Sequence, residues 1–251
     1  SNDYQDFVHH FAIAGYATAS VDFRLVPEDG FYGQVQDIKD TIRWLRLNAA
    51  AYHLDPTRIG LFGSSSGGHL AGRVAATGNG EGLGIDPPGT SSAVDAAFLL
   101  YGVYDLTTWV PNPVVRAYTG GLRFEEAPLV YQAYSPLFHI DGSEPPTAVM
   151  HGTRDWAVDF EMAEAYVAAM QAAGVAAELL PFEGGGHGFG KLRPWTRPAI
   201  FEAMLAFFAR ELGPPTGLVR STQSNRAGWR RANPPGQGDR AAVYGVGSTR
   251  Q

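Results

Sequence analysis

The sequence predicts an α/β chain built on a doubly wound, mostly parallel sheet. Short apolar runs alternate along residues 3–212 with segments whose apolar residues recur at 3.6-residue spacing. One such run, 58–62, passes through Gly63-Ser64-Ser65-Ser66-Gly67 straight into a stretch of small residues compatible with a helix. A strand, a sharp turn and a helix in that order is what the Gly-x-Ser-x-Gly pattern requires, because a turn this tight leaves no room for bulkier neighbours. With 251 residues, 45% of them hydrophobic, the chain can bury the core of one α/β domain.

The elements follow in order. Tyr4, Phe7, Val8 and Phe11 share a helical face in 3–14, and Gly15 stops that helix. Residues 16–23 read as a strand, and Pro27 and Gly30 break the chain after it. Val35, Ile38, Ile42, Leu45 and Ala49 repeat at helical spacing, predicting one helix over 32–51. Asp55-Pro56 makes a turn into the strand at 58–62, and the helix behind the serine turn covers about 67–77. Residues 78–92 form a Gly/Pro-rich loop, and 93–101 is a nearly unbroken apolar run, as expected of a strand covered on both faces.

Residues 104–146 hold Trp109, Tyr118, Phe124, Tyr131, Tyr134 and Phe138 among several prolines without a clean period, predicting an irregular, cap-like excursion. A buried strand at 146–150 ends in His151-Gly152-Thr153-Arg154-Asp155. The helix over 158–173 turns Met162, Ala165, Tyr166, Ala169 and Met170 inward, and Gly174 ends it. A last strand at 176–182 runs into Gly184-Gly185-Gly186-His187-Gly188-Phe189, and a final helix covers about 197–212. Ser65, Asp155 and His187 each follow a predicted strand, so their loops converge on the edge where the strands of a parallel sheet end.

Charge is unevenly distributed. The chain has a formal net charge of −6, yet residues 1–213 carry 13 Lys/Arg against 24 Asp/Glu, and residues 214–251 carry six Arg against one Asp. An acidic body gives no electrostatic footprint for nucleic acid. The domain therefore spans 1–213. The segment 214–251, with its prolines, glycines and arginines and no sustained period, reads as a disordered tail. There is no cysteine, which removes disulfides, thiolate metal sites and a cysteine nucleophile. No run reaches membrane-spanning length, and residues 1–14 show no signal-peptide pattern, which favours a cytoplasmic location. The oligomeric state has no signature.

A serine hydroxyl needs a neighbouring base, imidazole titrates near neutrality, and a carboxylate can fix the imidazole's tautomer. Ser65, Asp155 and His187 supply one group of each kind, each after a predicted strand. Ser64 and Ser66 flank the turn's apex and point elsewhere. Asp159 falls at a helix start, where an acidic residue caps, so Asp155 is the preferred carboxylate. Asp105 reads as a structural hydrogen bonder. His9, His10 and His53 read as surface residues, and His69, His139 and His151 as packed or hydrogen-bonded structural groups. Gly185 to Lys191 matches Gly-x4-Gly-Lys, but Leu192 stands where a Ser/Thr should hold magnesium, and Pro194 spoils the helix start. No His-Glu-x-x-His or similar cluster occurs, so neither metal nor cofactor is expected.

The run Gly63-Ser64-Ser65-Ser66-Gly67-Gly68-His69-Leu70-Ala71 resembles the nucleophile elbow of the esterase and lipase branch of the α/β-hydrolases, particularly the carboxylesterase and feruloyl-esterase-like group related to hormone-sensitive lipase. Tyr101-Gly102-Val103-Tyr104-Asp105-Leu106, His151-Gly152-Thr153-Arg154-Asp155 and Gly186-His187-Gly188-Phe189 are similar to that group too, and the likeness covers roughly 3–212. The resemblance implies an α/β-hydrolase fold and a serine hydrolase cleaving a small carboxylic ester through an acyl-enzyme. Ser65 is then nucleophile, His187 base and acid, and Asp155 the orienting carboxylate, with the Ser66 backbone N–H as one oxyanion donor. A prolyl-oligopeptidase-type peptidase and a catalytically impaired binding domain are the alternatives. In this group a strand ending in a His-Gly-Gly-type loop supplies the remaining oxyanion donors, and this chain begins after it. The absent strand belongs between those at 16–23 and 58–62. The expectation is an N-terminally incomplete domain, the alternative being that the two flanking strands pair directly.

Overall fold

The computed structural model describes residues 2–25, 30–77, 90–189, 196–215 and 240–246. Helix α1 (Asn2–Ile13) leads into strand β1 (Ala17–Val21). Helix α2 (Phe31–Leu47) and the short α3 (Ala49–Tyr52) precede strand β2 (Leu54–Ser64). Helix α4 (Ser66–Ala75) and strand β3 (Ala96–Leu100) follow. Helices α5 (Pro113–Tyr118) and α6 (Pro128–Tyr134) then lead to β4 (Thr147–Gly152), α7 (Phe160–Ala172), β5 (Ala177–Phe182), α8 (Thr196–Leu212) and β6 (Arg240–Val246).

Among the described residues six strands run parallel, in the order β1-β6-β2-β3-β4-β5. Side chains alternate between the two faces of each strand, and both faces are covered by helices. On one face Leu61, Ala97, Leu99 and Val149 meet Val35, Ile38 and Ile42 of α2, Leu70 and Val74 of α4, and Tyr166 and Met170 of α7. On the other, Phe62, Phe98, Ala148 and Met150 meet Phe11 of α1 and Met204, Phe207 and Phe208 of α8. The doubly wound sheet expected from the alternating pattern is therefore present, and its apolar runs are the strands.

Several expectations need correction. The single helix over 32–51 breaks at Asn48, whose side-chain amide donates to the Trp44 carbonyl at 2.7 Å and whose backbone leaves the helical region. Strand β2 starts at Leu54, so Asp55-Pro56 lies inside it, at a register shift between Leu54 and Ile59. The excursion at 104–146 is not wholly irregular. It holds α5 and α6, each with proline in its first turn, packed around Val103, Leu106, Val115, Tyr131 and Val158. These helices are too short to display a period. In α7 the buried side chains are Ala163, Tyr166, Val167 and Met170, while Ala165 is exposed.

The largest departure is at the carboxyl end. Residues 240–246, read as part of a disordered tail, form a strand that lies between β1 and β2. A strand inside a parallel sheet needs no polar alternation, so the short run Ala241 to Val246 left no periodic trace. Nor do the strands flanking that position pair directly. Residues 216–239 and 247–251 of the same tail, most of the loop at 78–92, and Lys191, Leu192 and Pro194 of the discarded phosphate-loop match lie outside the described residues.

Phe208 is fully buried, with ring centroids at 5.3 Å from Phe207, 5.8 Å from Phe11 and 6.3 Å from Phe98. A Cβ at Gly60 would come within 2.7 Å of its ring, so α8 lies directly on β2 there. Phe208→Ala is expected to remove about 3–5 kcal/mol of stability, read from urea unfolding midpoints.

Candidate active site

The turn after β2 is shaped by contact. A Cβ on Gly63 would lie 2.2 Å from the Gly67 carbonyl oxygen, so only glycine lets the strand and the following helix approach this closely. Between them Ser65 takes φ 53° and ψ −119°, a conformation that non-glycine residues adopt only under constraint. The constraint is visible in two hydrogen bonds: Ser65 N–H donates to the Leu100 carbonyl of β3 at 2.9 Å, and His69 N–H donates to the Ser65 carbonyl at 3.0 Å. Ser66 is the first residue of α4, so its N–H has no partner four residues back and points out of the helix N-terminus.

The loops after β4 and β5 are brought together by a similar contact. A Cβ on Gly152 would lie 2.3 Å from the Gly185 carbonyl, which accepts the Arg154 N–H at 2.9 Å. This places Asp155 under His187. Ser65 Oγ lies 2.9 Å from His187 Nε2, and His187 Nδ1 lies 2.9 Å from Asp155 Oδ2 and 3.2 Å from Oδ1. A carboxylate only accepts, so Nδ1 carries the proton, and Nε2 is left to accept from the serine hydroxyl. The Asp155 side chain has no solvent exposure, and its Oδ1 accepts the N–H groups of Ala157 and Val158 at 2.9 and 3.0 Å. That arrangement leaves the carboxylate one rotamer.

The competing candidates lie elsewhere. Asp159 is the N-cap residue of α7, although its side chain makes no capping hydrogen bond. Asp105 accepts from the backbone N–H and hydroxyl of Thr107. His69, buried in α4, donates from Nδ1 to the Val103 carbonyl at 2.6 Å, and burial lowers its pKa to about 4. His151 is not merely packed. Its Nε2 donates to the Val158 carbonyl at 2.9 Å and also approaches Asp155 Oδ2 at 3.2 Å, and burial lowers its pKa too. It thus braces the same carboxylate that meets His187 Nδ1.

Three aromatic neighbours of the site had no role assigned from the sequence. Tyr101, at φ 37°, sets its ring edge-on to His187 with centroids 5.1 Å apart, and Phe189, at φ 61°, packs on Tyr101 at 4.9 Å. Trp156 stands 83% exposed with its ring 6.2 Å from that of His187. The neighbouring excursion is tied to this loop by Trp109, whose Nε1 donates to the Ala157 carbonyl at 2.8 Å. Positive-φ backbone at Ser65, Tyr101 and Phe189 therefore gathers around one imidazole.

Among the described residues no cluster of three His, Cys, Asp or Glu is placed to hold a metal ion, and no helix is long and apolar enough to cross a membrane.

The parallel sheet with its serine turn, and a histidine and an aspartate on later loops, defines an α/β-hydrolase. A family model described as BD-FAE matches residues 1–170, and the chain belongs to that family, within the esterase group related to hormone-sensitive lipase. Esterase LipQ of Mycobacterium tuberculosis is 32% identical over 167 residues, 64% of this chain and 40% of that protein. Esterase LipC of the same organism is 28% identical over 194 residues, 72% of this chain and 47% of LipC. The chain thus spans less than half the length of these curated relatives. Among solved structures, Thermogutta terrifontis esterase 2 phosphorylated by paraoxon superposes with a TM-score of 0.68 at 30% identity, covering 82% of this chain and 75% of that one. A truncated carbohydrate esterase from gut microbiota gives 0.66 at 29% identity, covering 76% and 72%.

The histidines that burial keeps neutral make stability pH-dependent. Unfolded, His69 takes up a proton from about pH 6.5 downward, whereas folded it does so only near pH 4. The unfolded chain then binds more protons in that window, so stability falls as pH drops through it, by about 3 kcal/mol from this residue. His69→Asn keeps an N–H for the Val103 carbonyl and removes the titration. Its urea midpoint is expected to fall less steeply than the wild type's between pH 6.5 and about 4.

Proposed function

We propose that this chain carries a serine hydrolase site that cleaves small carboxylic esters through an acyl-enzyme. The observation that carries the reading is the continuous relay Ser65 Oγ, His187 Nε2, His187 Nδ1, Asp155 Oδ2, with both outer contacts at 2.9 Å. His187 Nε2 takes the hydroxyl proton as Ser65 Oγ attacks the ester carbonyl carbon. The same proton passes to the departing alkoxide oxygen, and the acyl group stays on Ser65. Water then gives a proton to Nε2 and attacks the acyl carbon, and the acid leaves as Ser65 Oγ regains its hydrogen. Asp155, its side chain shielded from solvent, holds the imidazole in the required tautomer throughout and stabilises the imidazolium. The N–H of Ser66, at the positive end of α4, is one donor for the tetrahedral oxyanion.

Support also comes from the named relatives. LipQ and LipC are esterases by name, and the paraoxon-modified Thermogutta enzyme is a phosphorylated esterase. Trp156 adds a specificity element. An exposed indole beside the base offers a flat apolar wall to one side of a bound ester, favouring aromatic or compact apolar groups.

Pre-steady-state hydrolysis of p-nitrophenyl acetate is expected to show a burst of nitrophenolate, and a fluorophosphonate probe is expected to label the protein. Ser65→Ala abolishes both, and Asp155→Asn lowers kcat on the order of 10⁴-fold because the wrong tautomer faces the serine. Equal turnover by wild type and Ser65→Ala would sink the proposal. Folded protein that never takes the probe points instead to a hydrolase-like binding domain. Trp156→Ala is expected to raise KM for a phenyl-bearing ester about tenfold while leaving that for an acetyl ester of a short alcohol nearly unchanged.

A further inference from the structure

We propose that Arg73 of α4, together with Tyr166 of α7, forms a binding site for one small monovalent anion of halide size. Helix α4 is buried from Gly67 to Ala75, so a guanidinium on it cannot carry its charge out to bulk water. Arg73 is 2% exposed. Its Nε donates to the carbonyl of Ala133, in the last turn of α6, at 3.2 Å. Its Nη1 is buried without a hydrogen-bond partner, and so is the hydroxyl of Tyr166, a residue with no exposure at all. Two polar side chains, each more than nine-tenths buried, thus carry unpartnered donors and lie close enough for the charge of one to act on the other.

Nothing among the described residues neutralises Arg73. The titratable groups it acts on, or that act on it, are Tyr32, Tyr166, His69 and His139, and none is a carboxylate. Burial lowers the pKa of His69 to about 4 and lowers that of His139 too, so neither imidazole adds charge near neutrality. Burial pushes the Tyr166 phenol up, which keeps its proton in place and makes it a donor, not a phenolate. Arg73 itself falls, through burial, only to about 10 and stays cationic at neutral pH. Glu144 is the carboxylate that acts on Tyr166, and it accepts the N–H groups of Asp141 and Gly142 at 2.9 and 3.0 Å.

A buried cation is costly unless a negative charge meets it, and one carbonyl dipole compensates only in part. A water molecule would satisfy the hydrogen bonds but leave the charge. An anion does both. Nη1 brings two N–H donors and Tyr166 one O–H. Three donors and one positive charge match a spherical monovalent anion, whereas a divalent oxyanion such as sulfate would bring a second charge with nothing to meet it. Tyr166 is held ready: its ring stacks on Tyr104 with centroids 4.3 Å and planes 7° apart, and the Tyr104 hydroxyl accepts the Gly102 N–H at 3.3 Å. Neither Arg73 nor Tyr166 belongs to the serine relay, so this site lies beyond the ester chemistry.

Thermal melting of the full chain, unfolded and refolded into sodium gluconate, tests this as bromide replaces gluconate at constant ionic strength. The midpoint is expected to rise with the logarithm of bromide concentration, by about 5 °C at about a hundredfold excess over the dissociation constant. Arg73→Met keeps the apolar stem and removes the charge, and is expected to melt alike in both salts. Should that variant not fold, Tyr166→Phe carries the test, with bromide affinity expected to fall at least tenfold. Crystals grown in bromide are expected to show one anomalous peak touching Arg73 Nη1 and the Tyr166 hydroxyl. The proposal is overturned by equal wild-type midpoints in the two salts, by the wild-type increment persisting in Arg73→Met or Tyr166→Phe, or by water at that position under saturating bromide. None of these readouts depends on ester turnover, so they stand apart from the fate of the catalytic proposal.

Discussion

Everything at this protein's site depends on how closely the end of β2 and the start of α4 approach one another. The Gly67 carbonyl occupies the space a side chain on Gly63 would need, and the reversal is completed by one residue, Ser65, held at positive φ. Such backbone persists only where the surroundings over-determine it. Here β3 does so, through the Leu100 carbonyl that accepts the Ser65 N–H, and α4 does so through its first intrahelical bond. β2 must therefore lie inside the sheet with β3 beside it, and α4 must be covered, which accounts for the helices on that face. The loops carrying Asp155 and His187 come from β4 and β5, further along the same side of the sheet.

Much of this was legible in the residues because the signals were local. The serine turn announces itself by its glycines, the core strands by unbroken apolar runs, and α2 and α7 by spacing. That Ser65, Asp155 and His187 would meet could be expected because parallel strands deliver their following loops to one edge. What escaped were features decided by contacts distant in sequence. Asn48 interrupts a helical pattern whose apolar residues give no hint of a break. The pairing of His151 with Asp155 depends on the path of the 155–158 turn, where Val158 and Asp155 both face the same imidazole nitrogen. The packing of Tyr101 and Trp156 beside His187 is set by the paths of separate loops, which residue type does not specify.

β6 is the extreme case. Seven residues, short, without alternation and preceded by a polar, proline-containing stretch, carry almost no strand signal of their own. Their place is defined by the two strands they pair with. Two strands that each need a parallel partner select the segment, and the selection is made by ladder geometry rather than by propensity, which is weak and context-dependent for strands. The resemblance to the esterase group located the vacancy between 16–23 and 58–62; it could not say that a segment nearly two hundred residues downstream would enter it.

The three imidazoles around the site show how environment, not residue type, divides labour. His69 and His151 are buried, and each gives its proton to a backbone carbonyl, of Val103 and Val158 respectively. Desolvation opposes a second proton on either, so both stay neutral and act as fixed donors. His187 differs in both respects: its side chain is 21% exposed, and its two nitrogens meet a carboxylate and a hydroxyl instead of carbonyls. A carbonyl partner can only hold a proton in place. A carboxylate on one side and a hydroxyl on the other give one ring nitrogen an acceptor and the other a donor. His151 then strengthens the arrangement indirectly, because its N–H and those of Ala157 and Val158 hold the buried Asp155 carboxylate in place. His187 is thus set apart from His69 and His151 by a carboxylate on one ring nitrogen and a serine hydroxyl on the other.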